Sequence, residues 1–164
     1  MAEVQVIMPQ SAKAVLDLEL ANRILAAAVE KASTAGVRVN IAVIDAGTHL
    51  TAFCRIDGAL PGAIDIAIKK ARTARLFEAE SGSLGESAQP GGSLYGIDNS
   101  NGGLITFSGG VPIRTPDGTV IGAIGVSGST VENDRAVALA GVAIGGPLTC
   151  GRSIRVSSPH ASSE

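Results

Sequence analysis

The 164-residue sequence predicts an α+β domain in which helices cover an antiparallel sheet. Three observations carry this. Two pairs of β-rich runs are each joined by a short glycine-containing turn, which marks hairpins rather than β-α-β crossovers. Segments with helical apolar spacing stand before, between and after those pairs. Runs such as "IAVI" and "VIGAIGV" are apolar at almost every position, so both of their faces need cover.

From about Ser11 to Ala35, apolar residues recur at Val15, Leu18, Ala21, Leu25 and Ala28, and Gly36 supplies a stop signal. Val37–Ile44 and His49–Ile56 read as the strands of a hairpin that turns at "DAGT". Pro61 then opens a second helix, with Ile64, Ala67, Ile68, Ala71 and Ala74 along one face. Ser81–Asn101, full of Gly, Ser and Pro, predicts a long functional or mobile loop. A second hairpin follows, "GLITFSGGVPIR" and "TVIGAIGVSG", turning at Pro116, Asp117 and Gly118. Ser129 and Glu132 predict a capping box for a third helix through "VENDRAVALAGVAI". The expected organisation is one domain over residues 1–150, with a polar tail over 151–164.

Composition excludes several classes. With 45% hydrophobic and 17% charged residues and a mean hydropathy of +0.32, the chain is too apolar for disorder. No charge-free apolar run approaches the ~18–20 residues of a membrane span. A net charge of −2 leaves no electrostatic footprint for nucleic acid. The amino end lacks the basic and apolar regions of a secretory signal, and Cys54 and Cys150 form no CxxC pair, so a cytoplasmic protein with reduced thiols is expected. Three Phe, one Tyr and no Trp leave Ala, Val, Ile and Leu to build the core. Such a small apolar domain is expected to hide surface in a homo-oligomer.

The glycine-rich stretch Ser108–Gly128 does not fit a phosphate cradle. Its first glycines lie in a strand-like run, GxxxxGK[ST] is missing, and the one loop that enters a helix carries Glu132 and Asp134, which would repel an anion. Nucleophile-elbow, zinc-cluster and activated-cysteine patterns are also missing.

The segments "IAVIDAGTHLTAFCRIDGA", "IKKARTARLF", "SGGVPIRTPDGTVIGAIGVSG" and "ENDRAVALAG", in that order, resemble the GlcG/HbpS family. These are small heme-binding or heme-degrading-type domains, also found fused to PduO-type corrinoid adenosyltransferases. The resemblance covers about Ser11 to Ile144. It implies a profilin-like antiparallel sheet of about five strands flanked by helices, assembly into a ring or an octamer, and heme as a possible cofactor. Thr48 departs from the glycine common at that turn.

Two site readings stand side by side, with an accessory subunit without a site as the third. The first is binding of heme or a similar anionic cofactor, and heme would need an iron ligand, an apolar slot and cations for the propionates. His49, in the hairpin motif, is the candidate ligand, against the reading of a solvent-facing strand residue; His160 lies in the polar tail. Phe53, Phe77, Tyr95 and Phe107 are the aromatics available to a porphyrin. The alternative is an enzyme acting on a small organic acid or aromatic catabolite by general acid–base chemistry, with Lys70 or Asp45 in the catalytic role. Arg55, Lys69, Lys70, Arg72, Arg75 and Arg114 could neutralise a carboxylate, and Thr73 shares a helix face with Lys70. The bare backbone at Gly109 and Gly110, beside Val111 and Pro112, could hold an anionic oxygen. The expected pocket lies between the second helix, the "SGGVPI" strand and a neighbouring subunit. The plain alternatives are a solvated helix face for "KKARTAR" and a turn residue for Asp45.

Overall fold

The computed structural model describes residues 15–144, and these follow the expected order of helix, hairpin, helix, loop, hairpin, helix. Cys150, His160 and the tail from residue 151 lie outside the described residues. Helix α1 spans Leu18–Ala35. It starts later than the periodicity suggests, because Asp17 caps it by accepting from the Leu20 amide at 2.8 Å. Its buried stripe is Leu20, Ala21, Ile24, Ala28 and Ala32, while Val15 and Leu18 face solvent. Gly36 ends it in the left-handed conformation, at φ 66°.

Strands β1 (Asn40–Asp45) and β2 (Leu50–Arg55) form the first hairpin, and β3 (Gly110–Arg114) and β4 (Val120–Ser127) the second. Among the described residues the sheet has four strands rather than about five, in the order β2-β1-β4-β3, with every neighbour antiparallel. The turn of the second hairpin is held as its residues suggest, Asp117 accepting from the Thr115 hydroxyl and the Thr119 amide. Helix α2 spans Ala63–Phe77, a single turn α3 spans Gly85–Ala88, and α4 spans Val131–Val142. The α4 cap is Thr130, which accepts from the Asn133 amide, so the helix starts one residue later than a Ser129 capping box would place it.

One face of the sheet meets α1 and α4 through Ile41, Val43, Val111, Ile113, Ile124 and Val126, and this holds the main core. The other face meets α2, where Ile44 and Ala123 pack on Ala71 and Ala74. None of the four aromatics is buried: Phe53 is half-buried, and Phe77, Tyr95 and Phe107 are exposed. The interior is aliphatic, as the composition requires.

The glycines of β3 and β4 now have a reason. Gly110 and Gly125 are cross-strand partners on the α2 face. A Cβ on Gly125 would lie 2.0 Å from the Ala67 carbonyl oxygen, and one on Gly110 would lie 2.1 Å from that of Lys70. The backbone of α2 therefore rests directly on the sheet, with Ala63, Ala67, Ala71 and Ala74 as its contact stripe. The predicted loop over Ser81–Asn101 is packed down at its start, while Leu94 and Tyr95 farther along are exposed. Ser81 is buried, donates to the Phe107 carbonyl at 2.7 Å and accepts from the Gly110 amide at 2.9 Å.

Gly125→Ala is expected to lower stability by about 2–4 kcal/mol, since rigid backbone on both sides leaves nothing to yield. Gly62→Ala, at the start of α2 with open space around its Cβ position, is expected to be neutral or to stabilise by up to about 1 kcal/mol. Denaturant midpoints of the two variants test this contrast.

Candidate functional site

The sequence-predicted residues gather at two ends of the sheet. At the Asp45 end, the "DAGTH" turn is built around an imidazole. Asp45 accepts from the His49 amide at 2.9 Å with one oxygen and meets His49 Nδ1 at 3.3 Å with the other. A Cβ on Gly47 would lie 2.7 Å from His49 Cε1, so a side chain there would push the ring from its place against the carboxylate. Thr48 adopts φ 69°, the left-handed conformation a glycine would take without strain, and its amide donates to the Asp45 carbonyl at 3.1 Å. Burial raises the Asp45 pKa, but the His49 amide and ring and the Gly47 amide outweigh it and hold the carboxyl below its ordinary value. An ionised Asp45 can only accept, so the ring that faces it donates from Nδ1–H and presents the Nε2 lone pair on its other side. The His49 side chain is 80% exposed.

At the other end, Lys70 is fully buried, with a side-chain exposure of 0%. Its Nζ donates to the Asp134 carboxylate at 2.8 Å and to the Val126 carbonyl at 2.9 Å, and lies 4.8 Å from the centroid of the Phe107 ring. Asp134 uses its second oxygen to accept from the Ser129 amide at 3.1 Å. Desolvation pulls the Lys70 pKa below its ordinary value, against the opposing pull of Asp134. Gly109, at φ 125°, completes the enclosure: a Cβ there would lie 2.7 Å from Nζ. The glycine backbone and the cationic helix do face each other, but in direct contact. Main chain and side chain of Lys70 occupy the space the sequence reading left for a ligand, and the Gly110 amide is already bonded to Ser81.

The two ends are separate. Asp45 pairs with Gly122 and Ile41 with Val126, so the Asp45 and Lys70 centres lie four β4 residues apart, roughly 13 Å. Phe53 and Arg55 lie on β2, opposite Ala42 and Asn40. Phe53 is half-buried and Arg55 exposed. Lys69 pairs with Asp65 at 2.8 Å. Thr73 is buried, donating to the Lys69 carbonyl and accepting from the Ile105 amide. Arg114 donates to the Gly118 and Glu78 carbonyls. Val111 is in the main core and Pro112 is half-buried beside α2. Phe77 is exposed at the carboxyl end of α2.

Sequence reasoning missed Asp134 as the partner of Lys70, although spacing carried the signal. Lys70 falls on the stripe Ala63, Ala67, Lys70, Ala74, and Asp134 on the stripe Asp134, Val137, Ala138, Gly141. Both positions are core positions by period alone.

An antiparallel four-stranded sheet with two helices on one face and one on the other, and an outward-facing imidazole held against a carboxylate, defines a small α+β domain with an imidazole-bearing hairpin. Residues 16–143 match the family model described as "Haem degrading protein HbpS-like", and the chain belongs to this family. An uncharacterised 15.0 kDa protein of Citrobacter freundii is 37% identical over 126 residues, covering 76% of this chain and 88% of that one. Protein GlcG of Escherichia coli K12 is 39% identical over 115 residues, covering 70% and 83%. Among solved structures, a PduOC:heme complex superposes with a TM-score of 0.74 at 34% identity, covering 79% of this chain and 94% of that one. Among the described residues, no helix is long and apolar enough to cross a membrane.

Lys70→Met is expected to destabilise the fold by about 3–5 kcal/mol, because it strands the Asp134 carboxylate in the interior. Adding Asp134→Leu is expected to recover much of that loss, since removing both charges is far less costly than removing one. Equal stability of the single and double variants in urea unfolding would contradict this.

Proposed function

We propose that this chain binds heme, and that His49 Nε2 would be the nitrogen that holds the iron. The observation that carries the reading is the Asp45–His49 pair. Imidazoles that ligate metals ordinarily give their other ring N–H to a carboxylate, which fixes the tautomer and the ring plane. Here the carboxylate, the ring and the glycine that admits the ring all sit in one five-residue turn. The PduOC:heme complex among the similar structures supports heme as the group.

Heme would supply the iron centre; the chain's residues bind and orient it. Asp45 holds the Nδ1 proton and so keeps the Nε2 lone pair directed outward. Next to His49, Leu50 is 51% exposed and lies opposite Ile44, and Phe53 follows on the same strand. Helix α2 lies over β4, β1 and β3, so these β2 side chains offer apolar surface to a flat macrocycle. A homo-oligomer, a ring or an octamer, would bury exposed apolar residues such as Leu50, Leu60 and Phe107 and help to enclose the ligand. Lys70 is committed to Asp134, which leaves Asp45 and His49 as the titratable pair open to a ligand.

Hemin titration tests the reading. The chain is expected to give a Soret shift saturating at one hemin per subunit, and His49→Ala is expected to abolish it. Asp45→Asn is expected to weaken binding about 10–100-fold, the usual effect of removing a carboxylate that orients a ligating histidine. A shift that survives His49→Ala unchanged would overturn the assignment.

A further inference from the structure

Arg75 holds a guanidinium that the rest of the fold does not account for. Its side chain is only 22% exposed, yet its Nε is buried and has no hydrogen-bond partner among the described residues. Its one hydrogen bond among the described residues runs from Nη1 to the largely exposed Glu78 carboxylate, at 3.3 Å. The other arginines nearby are better satisfied. Arg135 grips Glu80 with two nitrogens, and Arg114 donates to two carbonyls. A buried charged donor without an acceptor is destabilising, so its persistence needs a reason.

Its position in the fold suggests one. Arg75 follows Ala74 and lies one turn beyond Ala71, and both alanines pack against Ile44. Ile44 pairs with Leu50, the residue after His49. Thr73 turns the opposite way, to Ile105, and Arg75 stands roughly 160° around the helix from it. The guanidinium thus lies on the flank of α2 away from β3, at the end of the sheet that carries His49. The edge formed by Nε–H and one Nη–H is the fork that grips a carboxylate with two parallel hydrogen bonds.

We infer that Arg75 is the carboxylate clamp of the His49 site, and that the ligand is an iron porphyrin whose propionates are free. This rests on the heme reading above. A rotation of the guanidinium toward the ligand exchanges an unsatisfied buried N–H for a charge-assisted pair, so binding relieves a cost already present in the free protein.

Nine titrations with the full chain test it: hemin, metal-free protoporphyrin IX and hemin dimethyl ester, each against the wild type, Arg75→Met and Arg75→Lys. The wild type is expected to bind hemin at least about tenfold more tightly than its dimethyl ester, the minimum expected of a hydrogen bond to a charged group. Arg75→Met is expected to weaken hemin and protoporphyrin IX by a similar factor and leave the ester unchanged, with Arg75→Lys in between. Equal wild-type affinity for acid and ester overturns the clamp, whatever the variants do. So does an Arg75→Met effect that is the same for acid and ester. Arg75-dependent binding of protoporphyrin IX without any iron-dependent Soret shift would sink the His49 ligation and keep the clamp. Failure of the wild type to bind either macrocycle would end both.

Discussion

The structure depends on one buried ion pair. Lys70 rises from α2 on one face of the sheet, and Asp134 opens α4 on the other. Their contact at 2.8 Å, made beside the Val126 carbonyl where β4 ends, ties the two outer layers around the sheet. Taking two charges out of water is expensive, and the pair persists because every contact that could compensate is in place. Nζ has a carboxylate, a carbonyl and a ring face, and Asp134 has the ammonium and the Ser129 amide. The glycines at 109, 110 and 125 follow from this choice. They let α2 approach closely enough for a lysine on its buried stripe to reach past the sheet.

The other end of the sheet is open. The Asp45 turn projects from the sheet with its imidazole exposed and its carboxylate ionised. It sits next to a strand, β2, that α2 leaves partly uncovered. The same local chemistry that shapes the turn therefore also fixes the tautomer: Asp45 caps the backbone with one oxygen and the ring with the other. The turn and the ring thus share one side chain, Asp45, which the sequence offers either as a general base or as a turn residue.

Hairpins, helices and their order were legible because each rests on local pattern, such as the glycine turns at 47 and 118 and the stop at Gly36. The caps were less so, since Asp17 and Thr130 win over neighbours that look equally able. The lysine pair "KK" was the hardest case. Identity says solvent for both residues, but period separates them. Lys69 points to Asp65 at the surface, and Lys70 falls on the alanine stripe. Its partner lies 64 residues away, and no local rule could name Asp134. The strand glycines showed only that something comes close; that it is the helix's own backbone required the tertiary register.

The central claim is that His49 supplies the nitrogen to iron, and the chain has only two histidines with which to test it. The direct measurement is pulsed EPR of the ferric heme complex of a His160→Ala chain, prepared with natural and with ¹⁵N-labelled histidine. The account predicts an axial-nitrogen coupling that changes from ¹⁴N to ¹⁵N character with the label. Spectra identical under both labels, with couplings from the porphyrin nitrogens alone, would contradict it.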